Sequence, residues 1–419
     1  MPDPLDPFQE AVRERTKYEV ADIFRHYGER YRSDHPLPPS HLKVMHDIEV
    51  CRTAYLGGHL DQCDCCGFQR CSYNSCRNRH CPKCQTLTKA RWIEARKAEL
   101  LPVAYFHNVF TLPHELNPLA LRNKKVILQL LFKAVSETLM QFGSNPDDGL
   151  GGKVGFTCIL HTWDQTLLDH FHLHCLIAGG ALSFDGERWI SAHEGFLFPV
   201  KALSKVFRAK FIHLLEQAYA KGEIILHGAT RHLANRKGFS RLLKKLWEKD
   251  WIVYSKKPFA GPQQVLDYLG RYTHRVAISN NRIIDIDNGR VAFTYKDRKD
   301  NDSRKLMTLE ADEFIRRFLL HILPDRFMRI RHFGFLANRS KKQNLQPLQA
   351  APRALTRDPQ ASRQDRLRTH ARTDRNRSHQ VPSVRPGDYD CHPDISRTPS
   401  SRIQSLTPCI RFLMTTGCA

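Results

Sequence analysis

Apolar residues open the chain at helical spacing: Phe8, Val12, Tyr18, Val20, Ile23 and Phe24 predict a helix over Pro7–Tyr31. The proline-rich Pro36–Pro39 ends it, and Ser40 is the expected N-cap of a second helix through Cys51. After a cysteine-rich stretch, Gln85–Leu101 predicts a helix with Lys89, Arg91, Arg96 and Lys97 on its exposed sides. From Pro102 the texture turns β-branched and aromatic. Val103–Leu112 predicts a strand stopped by Pro113, and Asn117–Phe142 a long helix. Lys153–Trp163 and His170–Gly179 predict two more strands, joined by the polar turn Asp164–Asp169. Strand, helix, strand, strand begins a split βαβ arrangement, so the expected fold class is α+β with a ferredoxin-like sheet. Further helices are expected at Pro199–Ala220, Arg231–Lys249, Pro262–His274 and Ala311–Ile322. A β-rich stretch over Arg282–Tyr295 turns at Asn288–Gly289.

Beyond Lys342 the periodicity stops. Gln343–Ala419 contains no Lys and no Glu, is rich in Arg, Ser, Pro and Thr, and is expected to be disordered. Three units follow: N-terminal helices with a cysteine module (1–101), the sheet-bearing domain (102–342) and the tail (343–419).

Charge narrows the function. The formal net charge of +22 points to a polyanionic partner, with nucleic acid ahead of an anionic membrane surface. No run of about 18 apolar residues is present, and Met1–Glu10 is acidic rather than a leader, so a cytoplasmic protein with no membrane contact is expected.

Eight of the thirteen cysteines fall between Cys51 and Cys84. In a large chain without a secretory leader, such clustering indicates metal rather than disulfides. Cys63-x2-Cys66 and Cys81-x2-Cys84 are two knuckles of the kind that hold tetrahedral Zn²⁺. Cys76 and His80 are spaced as a third ligand pair, and Cys51, His59, Cys65 and Cys71 lie near enough in sequence to leave room for a second ion. Zinc supplies folding energy that so short a segment cannot gain from a core. The basic run Arg77–His80 favours nucleic acid as the module's partner.

The stretch His170-Phe-His-Leu-His-Cys175 carries the sharpest chemistry. On a strand His172 and His174 share a face, and two imidazoles there can bind a divalent cation with coordination positions left for substrate oxygens. His170 has the same parity. His161 on the preceding strand is the expected third ligand, with Gln165 an alternative. A second constellation, Tyr268-Leu-Gly-Arg-Tyr272-Thr-His-Arg275, places two tyrosines at i and i+4 on one helix face, about 6 Å apart along the axis. Arg271 and Arg275 follow each tyrosine by three residues, in reach of phosphate oxygens. A tyrosine oxygen can attack a phosphodiester and store the bond as a phosphotyrosine. Taken alone, the tyrosines read first as core aromatics, and the histidines equally as an ordinary strand; together, on a basic chain with a cysteine module, they read as a nuclease.

These residues resemble the HUH endonuclease superfamily, and more narrowly the two-tyrosine rolling-circle transposases of the insertion sequence ninety-one family. The resemblance rests on SCRNRHCPKC (Ser75–Cys84), FTLPHELN (Phe110–Asn117), LHTW (Leu160–Trp163), HLHC (His172–Cys175) and YLGRYTHRVAISN (Tyr268–Asn280), and spans most of Tyr31–Lys342. It implies a zinc-ribbon module followed by a ferredoxin-like palm with inserted helices, with the histidines on a central strand and the tyrosines on a facing helix. It also implies catalytic Mg²⁺ or Mn²⁺ beside structural Zn²⁺, nicking of single-stranded DNA at insertion-sequence ends, 5′-phosphotyrosine intermediates and strand transfer to target DNA. Two other readings share parts of this pattern: a rolling-circle replication initiator, and a zinc-bearing nucleic-acid-binding protein without catalysis. The Arg/Ser/Pro-rich tail departs from the family, whose members continue into a further ordered region.

Overall fold

A computed structural model of the chain describes residues 17–147, 149–193, 195, 197–259, 264–265, 270, 276–297, 299–350 and 412–415. The N-terminal part holds α1 (Val20–Asp34), α2 (Pro39–Glu49), the hairpin β1 (Gly58–Cys63) and β2 (Gln69–Tyr73), and α3 (Gln85–Lys97). Helix α1 starts on a capping box in which Glu19 and Asp22 bond each other's backbone. Helix α2 begins two residues earlier than expected. Pro38 is its N-cap and Pro39 its first residue, so Ser40 is not the cap; proline suits the first turn because the amide it lacks would be unpaired there.

The palm follows the order β3 (Tyr105–Thr111), α4 (Asn117–Arg122), α5 (Lys124–Ser144), β4 (Lys153–Trp163), β5 (Asp169–Leu182), β6 (Trp189–Ser191), α6 (Val200–Ala220), α7 (Arg236–Glu248) and β7 (Val253–Phe259). The expected long helix is broken in two at Asn123. Its amide donates to the Ile225 carbonyl at 2.9 Å and accepts from the Ile225 amide at 2.7 Å, a pairing that holds Asn123 out of helical geometry. A three-stranded meander comes next, β8 (Ile283–Asp287), β9 (Arg290–Asp297) and β10 (Ser303–Glu310), then α8 (Ala311–Leu320), β11 (Ile330–Gly334), α9 (Lys341–Ala350) and β12 (Phe412–Thr415), which pairs with β1. The β8–β9 turn sits where the sequence put it, with Asn288 and Gly289 both at positive φ (46° and 77°) as a tight hairpin turn requires.

The main sheet runs β11-β4-β5-β3-β7 with β6 on the end of β5, every pair antiparallel. Within it, β3-helix-β4-β5-helix-β7 takes the spatial order β7-β3-β5-β4, which is the ferredoxin-like split βαβ arrangement. Strand alternation then sorts the residues. Phe106, Phe110, Phe156, Cys158, Leu160, Leu173, Cys175 and Ile177 face α5 and α6 and are buried with Phe132, Phe207 and Phe211. Each buried ring contributes roughly 1.5–3 kcal/mol. The opposite face carries Tyr105, Ile159, Leu176 and Ala178, which pack with Leu101, Val265, Phe335, Leu345 and Leu348.

Val20, Phe24, Met45, Cys51, Cys81 and Cys84 share one buried cluster with Phe293 of the meander and with Phe314 and Phe318 of α8, so the N-terminal module packs against the C-terminal part of the chain. The start of the tail differs from the sequence reading. Helix α9 runs to Ala350 and buries Leu345 and Leu348, eight residues beyond Lys342. Of the remaining tail, only residues 412–415 are described.

Candidate active site and metal centres

Cys51, at the end of α2, meets Cys76, Cys81 and Cys84, with all four sulfurs within 4.8 Å of one another. The Sγ–Sγ distances are 3.4 Å for Cys51–Cys84 and 3.5 Å for Cys76–Cys84. Four thiolates about 2.3 Å from a tetrahedral zinc stand about 3.8 Å apart, so the cluster fits that ion. Hydrogen bonds among the four thiols hold Cys84 and Cys51 below their ordinary value and push Cys81 and Cys76 above it, so the sulfurs share protons that a bound metal ion would displace.

This ligand set differs from the expected one. Cys81, Cys84 and Cys76 converge, but Cys63 and Cys66 do not join them. Cys63 groups with Asp64 and Cys65 at the tip of the β1–β2 hairpin. Cys51, 12 residues upstream of Cys63, takes the place expected for the first knuckle. His80 is not in the cluster either. Its Nε2 is buried, has no hydrogen-bond partner among the described residues, and borders a small cavity with Thr162, Trp163 and His321. Next to it, the Arg79 guanidinium donates to the carbonyls of Phe327 (2.6 Å) and Pro324 (2.8 Å), tying the zinc module to the palm.

On the other side of the main sheet from α5 and α6, three histidines meet. His161 lies directly across from His172 in the β4–β5 pairing, and Ile159 across from His174. The ligand atoms of His161, His172 and His174 lie within 4.8 Å of one another, all three residues are buried, and the Nε2 atoms of His172 and His174 are 3.2 Å apart. His172 Nδ1 donates to the His170 carbonyl at 2.9 Å, so a neutral His172 ring turns a bare lone pair at Nε2 toward its neighbours. His174 Nδ1 bonds His107 Nε2 at 3.0 Å. Two imidazole nitrogens about 2.1 Å from one octahedral cation stand about 3.0 Å apart, and the donor set therefore fits a divalent cation. His161 is held in turn by Trp163, stacked on it at 5.0 Å with an 18° interplanar angle. The backbone carbonyl of Gln165, the alternative ligand, accepts from the Arg282 guanidinium.

His107 escaped the sequence reading, although it has the right parity on β3: its partner in the pairing is Leu176, on the histidine face. Tyr268, Tyr272, Arg271 and Arg275 lie outside the described residues. Described residues around them can be placed. Val265 is buried with Leu176, Ile159 and Tyr105 on the histidine face. Gly270 lies so close to α3 that a Cβ there would stand 2.8 Å from Ile93 Cδ1. Val276 borders the cavity beside Trp163.

A ferredoxin-like sheet with three buried histidines converging on the face away from α5 and α6, joined to a four-cysteine module, defines a recognisable class of protein. A family described as "Putative transposase" matches residues 155–344, and one described as "Transposase zinc-binding domain" matches residues 23–112. "Putative transposase y4qJ" of Sinorhizobium fredii (strain NBRC 101917 / NGR234) is 52% identical over 332 residues, 79% of this chain and 83% of that protein. "Transposase for insertion sequence element IS801" of Pseudomonas savastanoi pv. phaseolicola is 28% identical over 334 residues, 75% of this chain and 77% of that protein. No solved structure matches the chain. The chain belongs to the insertion sequence ninety-one family of transposases and carries that family's N-terminal zinc-binding domain. The four-sulfur cluster lies inside the matched domain, and zinc is its structural metal. Among the described residues, no helix is long and apolar enough to cross a membrane.

Proposed function

We propose that this transposase nicks single-stranded DNA at insertion-sequence ends through a 5′-phosphotyrosine and transfers strands in rolling-circle transposition. The observation that carries the reading is the convergence of His161, His172 and His174 on the face of the sheet away from α5 and α6. Mg²⁺ or Mn²⁺ held by these three rings would polarise the scissile phosphate and offset the charge that develops on it. Tyr268 or Tyr272 supplies the nucleophile. Its phenolic oxygen forms a bond to phosphorus, the bond from phosphorus to the 3′-oxygen breaks, and the proton lost from the phenol is balanced by one gained at the departing 3′-OH. Arg271 and Arg275 bind phosphate oxygens. With two tyrosines, one holds the cleaved strand while the other attacks a second, and the free 3′-OH primes replication. The packing of Val265 against Leu176 on the histidine face supports the participation of this segment.

His172→Ala combined with His174→Ala tests the reading. Cleavage of single-stranded element-end DNA is expected to disappear while DNA binding largely remains, because phosphate contacts from Lys and Arg dominate affinity. Undiminished cleavage by the double variant overturns it.

A further inference from the structure

Helix α7 is the most one-sidedly charged element among the described residues. Its inner face, Gly238, Phe239 and Leu246, is buried against the palm, with Leu242 and Leu243 packed beside them. On a helical wheel the opposite face carries Lys237, Arg241, Lys244 and Lys245, with Arg236 at its edge, all exposed. Among the described residues only Lys244 of these five has a carboxylate within ion-pair range, Glu248 at 3.8 Å. Arg236 and Lys237 occupy the first turn, which holds no acidic residue. Cations there oppose the helix dipole, so the local fold gains nothing from them.

The helix is fixed relative to the histidine site. Lys249, just past its end, pairs with Glu115. The Trp251 indole donates to the Leu246 carbonyl at 3.0 Å. The Thr111 amide then donates to the Ile252 carbonyl at 3.1 Å, and Thr111 is the β3 residue paired with His172. The C-terminal end of the cationic helix therefore abuts the end of the sheet that bears His172.

We propose that the outer face of α7 docks the phosphate backbone of double-helical DNA flanking the strand that is cut; this rests on the nicking reading above. From Arg236 to Lys245 the face is about 13 Å long. That length of duplex axis carries about 8 phosphates, about half of them on one side, which matches five exposed cations. Single-strand platforms interleave cations with aromatic rings on which bases stack. Besides its cations this face carries Ser240 and Glu248, and the one exposed aromatic residue of the helix, Trp247, lies at its edge with the Arg208 guanidinium stacked 5.5 Å from its ring centroid. The chemistry is that of a backbone contact without base readout.

The test uses the full-length, zinc-loaded protein with two probes: a blunt duplex of arbitrary sequence and a single-stranded element-end oligonucleotide. One variant combines Arg236→Gln, Lys237→Gln, Arg241→Gln and Lys245→Gln. A control with equal charge loss combines Lys43→Gln, Lys133→Gln, Lys201→Gln and Lys221→Gln. The α7 variant is expected to lower the slope of log affinity against log salt on the duplex by about 3 to 4, with the control near wild type. Covalent attachment to the single strand is expected to be unchanged in both. Equal slopes for wild type and the α7 variant overturn the proposal, as does a control that loses as much as the α7 variant. If wild type forms no covalent product, the nicking reading fails, while the duplex comparison still decides this surface.

Discussion

His107 and His174 share a 3.0 Å hydrogen bond, Nε2 to Nδ1, between the neighbouring strands β3 and β5. When His174 binds metal through Nε2, its Nδ1 carries the proton and His107 Nε2 accepts it. A partner of this kind fixes the tautomer and orientation of a metal-ligating imidazole. His107 is buried, and that burial pushes its pKa down to about 3, so it stays neutral and able to accept. The role expected of His107 under the proposed function is therefore positioning.

Replacing His107 by Leu keeps an apolar volume but removes the acceptor. Mn²⁺ affinity, measured by titration calorimetry on the full chain, is expected to fall roughly 10–100-fold. His107→Gln, which restores an acceptor, is expected to recover part of the loss. A Leu variant that binds Mn²⁺ as tightly as wild type rules out this role.

The zinc site yields a second contrast. Cys51→Ser is expected to lower the zinc content below one ion per cluster and to bring thermal unfolding to a lower temperature, since structural zinc contributes directly to folding. Cys71 is exposed and outside the cluster, so Cys71→Ser is expected to leave both unchanged. Elemental analysis beside a melting curve checks this. Zinc retained by Cys51→Ser and lost by Cys63→Ser would reinstate the pairing of the two Cys-x2-Cys knuckles.

A third expectation concerns pH. His321 is buried, with Nε2 donating to the Leu167 carbonyl at 3.0 Å, and burial lowers its pKa from 6.5 to about 4. Below pH 6.5 the unfolded chain takes up a proton that the folded chain does not, so stability falls as pH drops from 6.5 toward 4. Between pH 7 and pH 5 this one group costs about 2 kcal/mol. Urea midpoints of wild type and His321→Gln at the two pH values test it: the variant is expected to lose about 2 kcal/mol less. Parallel losses would remove His321 from the acid response.

Much of the palm was legible because its strands alternate or run continuously apolar. β4 matches its expected bounds, and β5 extends the expected strand at both ends. The short edge strands were not legible: β7 reads VYSKKPF, and its two lysines suit an edge but break an apolar run. β10 alternates half-buried and exposed residues along its length, a period-2 signal that its polar sequence, SRKLMTLE, conceals. At the sites, parity predicted that His172 and His174 share a face. The cross-strand register that brings in His161 is a tertiary fact, and so is the diagonal contact that brings in His107. Cys51 illustrates the same limit. Local spacing favoured Cys63 and Cys66, whereas the fold of α2 against the module selects a cysteine that belongs to no short motif.

The central claim, covalent tyrosine chemistry on single-stranded DNA, is tested most directly by incubating the protein with labelled element-end DNA and Mg²⁺ or Mn²⁺ and resolving the products on a denaturing gel. The expected product is a slower protein–DNA band that survives denaturation, vanishes with EDTA, and is absent from the Tyr268→Phe, Tyr272→Phe double variant. DNA that is bound but never covalently attached, or a band that persists in the double variant, would contradict it.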